Sequence, residues 1–277
     1  MKRYFALVLI IVYSVTFLTG CKKDKGDPPV LPPAESMIID FGNFESGKKS
    51  DASLLIPKGT QNSNWEFAAG VAMIWKAIIF TTLAVPVKSF QLAAGSNPVY
   101  LDDKTWQWSY NATIVINQVS VTYKARLTGQ IRTNDVFWKM YISKEGTGSF
   151  AEFAWFEGTS KLDGTGGQWK LNQGPQNQVA ILQIDWTKTS TSVGMVKYTY
   201  IKTGDPFKDS YIEYGLTTNA LNAYYTIHYY NPSYQQFYDL NVEWNTSTYN
   251  GRVKSLGYFD NSDWYCWDGN YINIICP

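Results

Sequence analysis

Histidine is almost absent from this chain and cysteine is scarce: one His and three Cys in 277 residues. That leaves little material for a zinc site or a His-centred triad. Charged residues are few as well, at 17%, and their signs nearly cancel to a net +1. A chain with no basic field of its own weighs against a nucleic-acid partner. Phosphate-loop chemistry is missing, because Gly164-Thr165-Gly166-Gly167 lacks the Lys-Ser/Thr ending and lies between strand-like runs. Asp102-Asp103 and Asp260-Asn261-Ser262-Asp263 lack the spacing of a calcium loop and suit ordinary turns. The lone His228 falls on the face opposite Tyr225, Ile227 and Tyr229, and no nucleophile elbow accompanies it. No metal, cofactor or catalytic set is therefore expected. Glu152 and Glu157 keep a carboxylate-pair hydrolase as an open reading, since separation in space decides that chemistry.

What is abundant is aromatic and apolar. Aromatics reach 16%, with 11 Trp and 20 Tyr, and the 45% hydrophobic content excludes a wholly disordered chain. The length suffices for one large domain with a real core.

The amino end has its own pattern. Lys2 and Arg3 precede an apolar run from Phe5 to Phe17, followed by Leu18-Thr19-Gly20-Cys21. The run is short for a membrane span and reads as an export signal over residues 1–20. Its last residues resemble the lipobox of bacterial lipoproteins: a Leu, two small residues, then Cys. The resemblance covers about residues 1–25 and implies cleavage between Gly20 and Cys21, with diacylglycerol on the Cys21 sulfur. Several acyl chains at roughly 0.8 kcal/mol per CH₂ make such an anchor permanent. Lys22, in place of an acidic residue, is what the family pattern associates with transfer to an outer membrane, on either face of it. Residues 21–35, rich in Pro and charge, read as an extended, mobile tether.

Residues 36–277 read as a single domain. Met37 to Phe41 is a short strand candidate. Ser63-Asn64-Trp65-Glu66 has capping-box spacing, and Ala68, Val71, Ala72, Trp75, Ile78 and Ile79 recur at the helical period. The opposite side is nearly as apolar, which predicts a helix near residues 64–83 buried on more than one side, with Pro86 beyond its end. From about residue 98 the chain alternates in runs such as Val119 to Thr128, broken by Asp163-Gly164, Gly204-Asp205-Pro206, Asn231-Pro232 and Asn250-Gly251. About ten strands with tight turns predict a mainly β fold: a large curved antiparallel meander, an open half-barrel, with the helix in its concave face. A helix-capped β-sandwich is the alternative. The half-barrel resembles, in shape alone, bacterial carriers and receptors that hold lipoprotein acyl chains.

That shape predicts a non-enzymatic, lipid-anchored envelope protein holding an apolar or amphipathic ligand or partner beside the helix. The rival reading is a glycan binder using exposed Trp and Tyr, with Trp106, Trp108, Trp138, Trp155, Trp186 and Trp244 as the ligand-facing aromatics. Cys266 and Cys276 remain once Cys21 is lipidated, and an exported chain favours joining them. A tight turn at Asp268-Gly269 would put Cys266 and Cys276 too far apart for that, so a bridge requires a wider loop.

Overall fold

The computed structural model describes residues 25–45, 63–116, 118–189 and 193–277, apart from the side chains of residues 80–82 and 116. The leader and the lipobox, Gly20 and Cys21 included, lie outside the described residues.

The chain enters as irregular extended backbone, makes a 3₁₀ turn at Ala34–Met37 and a single helical turn, α1, at Gly42–Glu45. Helix α2 spans Asn64–Ala93. A meander follows: β1 (Val99–Tyr100), β2 (Thr105–Ile116), β3 (Val119–Ile131), β4 (Asp135–Lys144), β5 (Phe150–Lys161), β6 (Gly166–Gly174) and β7 (Asn177–Lys188). It continues with β8 (Val193–Tyr200), β9 (Tyr211–Leu216), β10 (Ala223–Asn231), β11 (Gln236–Trp244) and β12 (Gly251–Lys254), then a turn of helix, α3 (Leu256–Phe259), and β13 (Tyr265–Trp267) and β14 (Asn273–Ile274). All 14 strands form one sheet in sequence order, each antiparallel to the next, and its edges do not meet to close a barrel. The mainly β, open-meander expectation holds, and the sandwich alternative does not. Bulges in β4–β5, β6–β7 and β7–β8 add local twist to the curl.

The helix begins where the capping box places it. The Ser63 Oγ accepts from the Glu66 N–H at 3.1 Å, and the Glu66 carboxylate accepts from the Ser63 N–H at 2.8 Å. It runs ten residues further than expected, to Ala93, with Pro86 inside it. Proline lacks the N–H for the carbonyl four residues earlier and crowds it, and the axis turns by 72° between Ile79 and Leu83. No single described helix is long and apolar enough to cross a membrane, although the two halves of α2 together reach that composition. Trp65, Ala68, Ala72, Trp75, Phe90 and Ala93 are buried against the sheet, but Ile78 is 48% exposed. Burial on more than one side holds for the first turns, where Phe67 and Ala69 are buried as well as Trp65 and Ala68, and ends near Ile78. On the outward side Lys76 pairs with Glu45 at 2.8 Å.

Two boundaries also move. Met37–Phe41 is no strand, though Met37, Ile39 and Phe41 are buried and alternate with exposed Ile38 and Asp40. The segment lies across the concave face, where sheet side chains take the place of a partner strand. Tyr198 donates to the Met37 carbonyl, Tyr225 to the Asp40 carbonyl, and the Trp169 indole to Ser36 Oγ at 3.2 Å. Burial pushes the Tyr198 and Tyr225 phenols well up, so both remain donors. Within the described part of the expected mobile tether, residues 25–35, Pro29 and Pro32 are buried.

The concave core is built on a repeated pairing. Gly129 lies directly opposite Trp138, Gly158 opposite Trp169, Gly167 opposite Trp186, and Gly251 opposite Trp267 on the neighbouring strand. A Cβ on Gly129 would come within 2.5 Å of the Trp138 ring, and each of the others would meet its Trp or the adjoining backbone. A missing side chain lets each indole lie flat on the sheet. Gly251 is therefore a strand residue at a close approach. The hairpin expected at Asn250-Gly251 is a longer loop over residues 245–250, with Tyr249 in the left-handed region at φ 63°.

Candidate functional groove at the β10–β11 end

Five of the six Trp expected to face a ligand are core. Trp108, Trp138, Trp155, Trp186 and Trp244 are buried, and Trp106 is partly buried against Tyr100. The Trp138 indole donates to Ser160 Oγ at 2.9 Å, while those of Trp106, Trp155, Trp186 and Trp244 have no acceptor. These rings pack against the protein's own segments on the concave face and form no solvent-facing row.

The carboxylates are engaged separately. Arg126 donates to Glu152 through two nitrogens at 2.6 and 3.1 Å, and Lys139 meets Glu157 at 3.3 Å. The Arg126 hydrogen bonds hold the Glu152 carboxyl below its usual range, the reverse of what a general acid requires. Among the described residues no three His, Cys, Asp or Glu side chains gather as a metal set.

Cys266 and Cys276 are joined, with Cα atoms 5.1 Å apart. Cys266 faces Ile274 across the β13–β14 pair, the chain curls back two residues later, and Asp268-Gly269 sits in a wider loop. The Asp268 carboxylate holds that loop by accepting from the N–H groups of Asn270 and Ile272, both at 2.9 Å.

The convex face carries aromatics that the sequence pattern did not single out. His228 lies directly opposite Tyr211 on β9 and Asp239 on β11. Its Nδ1 is 2.7 Å from the Asp239 carboxylate, and its ring is stacked between Tyr211, at 5.5 Å, and Phe237, at 4.5 Å and 4°. Lys197 caps the far side of Tyr211 at 3.8 Å. Rings stacked this way cover one another's faces. At the end of the stack Phe237 also meets Tyr230, at 5.4 Å, and stays 39% exposed.

Beyond Phe237 lies an open groove of about 980 Å³. It exists because β12 is short: it pairs only with Asn241 to Trp244, leaving Gln236 to Leu240 of β11 without a neighbour on that side. After Lys254 the chain turns away into α3, and Gly257 lets it pass flat against the Tyr238 ring. Tyr229, Tyr234, Phe237, Tyr238 and Tyr258 supply ring surface to the groove, and Asn231, Gln236, Asp239, Asn241 and Lys254 supply polar heads. Burial raises the Tyr229 phenol, which keeps it a neutral donor. The Asp239 carbonyl accepts from Ser255 Oγ at 3.1 Å and so faces the open edge. By the alternation of an antiparallel strand, the Phe237 N–H and C=O point the same way. A second cavity, of about 400 Å³, lies at the other end of these strands, beside Gly251, Cys266 and Pro277.

Only pairing register could have assembled this groove from sequence, because its residues come from β10, β11, the end of β12, α3 and the loops flanking them. A scan against protein-family models gives no match and a search of curated proteins gives none, so the site is read from its own geometry.

Proposed function

We propose that the protein is a lipid-anchored, non-enzymatic envelope protein that binds glycan chains in the groove at the β10–β11 end. The observation that carries this reading is the groove's lining, five aromatic rings interleaved with amide, carboxylate and ammonium groups along an open strand edge. A sugar is amphipathic in the same way: its C–H faces stack on rings, and its hydroxyls exchange hydrogen bonds with planar polar groups. An extended peptide adding to β11 is the less favoured occupant. Only Phe237 offers a free N–H and C=O together there, because Ser255 already takes the Asp239 carbonyl. The apolar ligand anticipated beside the helix loses support, since that face is filled by Met37, Phe41, Phe44, Trp75 and Phe90. Anchoring rests on the Leu18-Thr19-Gly20-Cys21 resemblance.

Affinity electrophoresis through gels carrying neutral or acidic soluble polysaccharides tests the binding. At least one should retard the protein, and Phe237→Ala with Tyr234→Ala should remove most of the retardation without shifting thermal unfolding. Uptake of a fluorescent fatty acid with no retardation in any gel would replace the glycan by an apolar ligand. For the anchor, Cys21→Ser should abolish fatty-acid labelling.

A further inference from the structure

The chain joins its fold very soon after the expected site of lipidation. Lys25 already sits on the Tyr100 ring, its Nζ 5.7 Å from the ring centre, and Pro29 and Pro32 are buried. Cys21 precedes Lys25 by four residues, which span at most about 14 Å. Tyr100 belongs to β1, at the edge of the sheet, beside the loop that leads into β2. That loop is tied to the β3–β4 end, with the Ile131 N–H donating to the Lys104 carbonyl at 3.0 Å and Gln130 Nε2 to the Asp103 carboxylate at 3.1 Å. Two apolar side chains stand out at this corner, Val99 at 62% and Leu101 at 47% exposed. Its charges are mixed, with Asp102 and Asp103 beside Lys104 and Lys25, so apolar contact and reach decide what it meets.

We infer that this corner, Val99 to Lys104, rests on the bilayer that holds the anchor and points the β10–β11 groove away from it; the inference rests on the lipid anchor of the proposed function. Turns alternate between the two ends of a meander. The β3–β4 turn and the Tyr100 corner share one end, while the β10–β11 turn lies at the other. From β2 to β11 the sheet crosses nine strand spacings, about 40 Å before curling, and strands of nine residues such as β10 rise about 30 Å from end to end. Bringing the groove to the membrane would lift the corner by more than a 14 Å leash allows. The short leash thus acts as an orienting device, and the glycan groove faces whatever lies beyond the headgroups.

The mature protein in phosphatidylethanolamine–phosphatidylglycerol vesicles carrying a headgroup spin label tests this. A dye is placed on Leu101→Cys or on Tyr234→Cys, with Cys266–Cys276 kept oxidised. Quenching at position 101 should exceed that at 234 at least twofold. Inserting twenty Gly and Ser residues between Lys23 and Asp24 should erase the difference. Equal quenching at the two positions, or a difference that survives the insertion, would overturn the orientation while the protein still floats with the vesicles. Intact mass and flotation separate the other failure: a chain without acyl groups that does not float overturns the anchor and the orientation together.

Discussion

On the concave face of the sheet the indoles of Trp138, Trp169, Trp186 and Trp267 lie over the glycines opposite them, and the polar tips that find partners bond to the chain itself. On the convex face of β8–β11 the rings stand on edge and stack on one another, ending at Phe237 and a groove. Both faces use aromatics from the same alternating strands. What differs is the space beside them: the inner rings have a glycine next to them and a helix above, while the stacked outer rings lean on neighbours and meet solvent. The inner rings beside a glycine therefore govern stability, while the groove draws its rings from both faces, Phe237 from the outer and Tyr229 and Tyr238 from the inner.

The sharpest way to break that contrast is to fill one glycine on each face. Gly158→Ala should cost about 3 kcal/mol or abolish folding, because the added Cβ meets the Gln168 carbonyl and the fixed Trp169 ring. Gly215→Ala on the convex face meets the outer end of the half-buried Tyr224 ring, which must shift and loosen its hydrogen bond to Glu213, and should cost less than Gly158→Ala, about 1–2 kcal/mol. Urea midpoints at equal m-value compare them, and equal losses would erase the distinction between the faces.

Removing the Cys266–Cys276 bridge comes next, at about 2–3 kcal/mol for a loop with a sequence separation of 10. The loss should appear as faster hydrogen exchange in β13 and β14, with the groove's ligand binding unchanged. Tyr198→Phe should cost about 1–3 kcal/mol, since it leaves the buried Met37 carbonyl without its donor. Thermal unfolding would register it, and an unchanged midpoint would mean that residues 36–41 are not strapped to the sheet. Ile78→Asp sharpens the contrast within α2: half exposed, it should stay within about 0.5 kcal/mol, where a core position would lose several.

A similarly small effect concerns the Glu152–Arg126 pair on the convex side. A folded-state carboxyl held below its ordinary range contributes stability above that range and loses it as pH falls through the lowered value. Glu152→Gln should therefore cost below about 1 kcal/mol at neutral pH, discounted for the exposure of both groups, and the gap should close in acid and in high salt. A gap that persists in acid would point to packing as its cause.

Much of this fold was legible in the residues because its signals are local. Alternation in β3, β4, β7 and β11 identified strands. Ser63 and Glu66 fixed the start of the helix, since a capping box needs only four neighbouring residues. The even pair Cys266 and Cys276 pointed to a bridge, whose geometry then required the wide loop that the structure has. The misread elements each depend on something distant. Residues 37–41 have a strand's alternation but no strand beside them, because the Tyr198 and Tyr225 hydroxyls take their carbonyls. Ile78 continues the helical period yet stands 48% exposed, beside the bend that Pro86 puts into the axis. Gly251 looked like a turn residue, and its reason is the Trp267 ring on the next strand, sixteen residues further along the chain.

The amino-acid sequence by itself determined an all-neighbour meander and a capped helix, since period and short spacings are properties of the chain alone. Only the tertiary structure decided which aromatics are core and which reach solvent, because a strand's period of two divides its residues between two faces without saying which face a helix will cover. The groove likewise exists only in three dimensions: β12 stops short of β11's end, and no single residue records the edge that this leaves open.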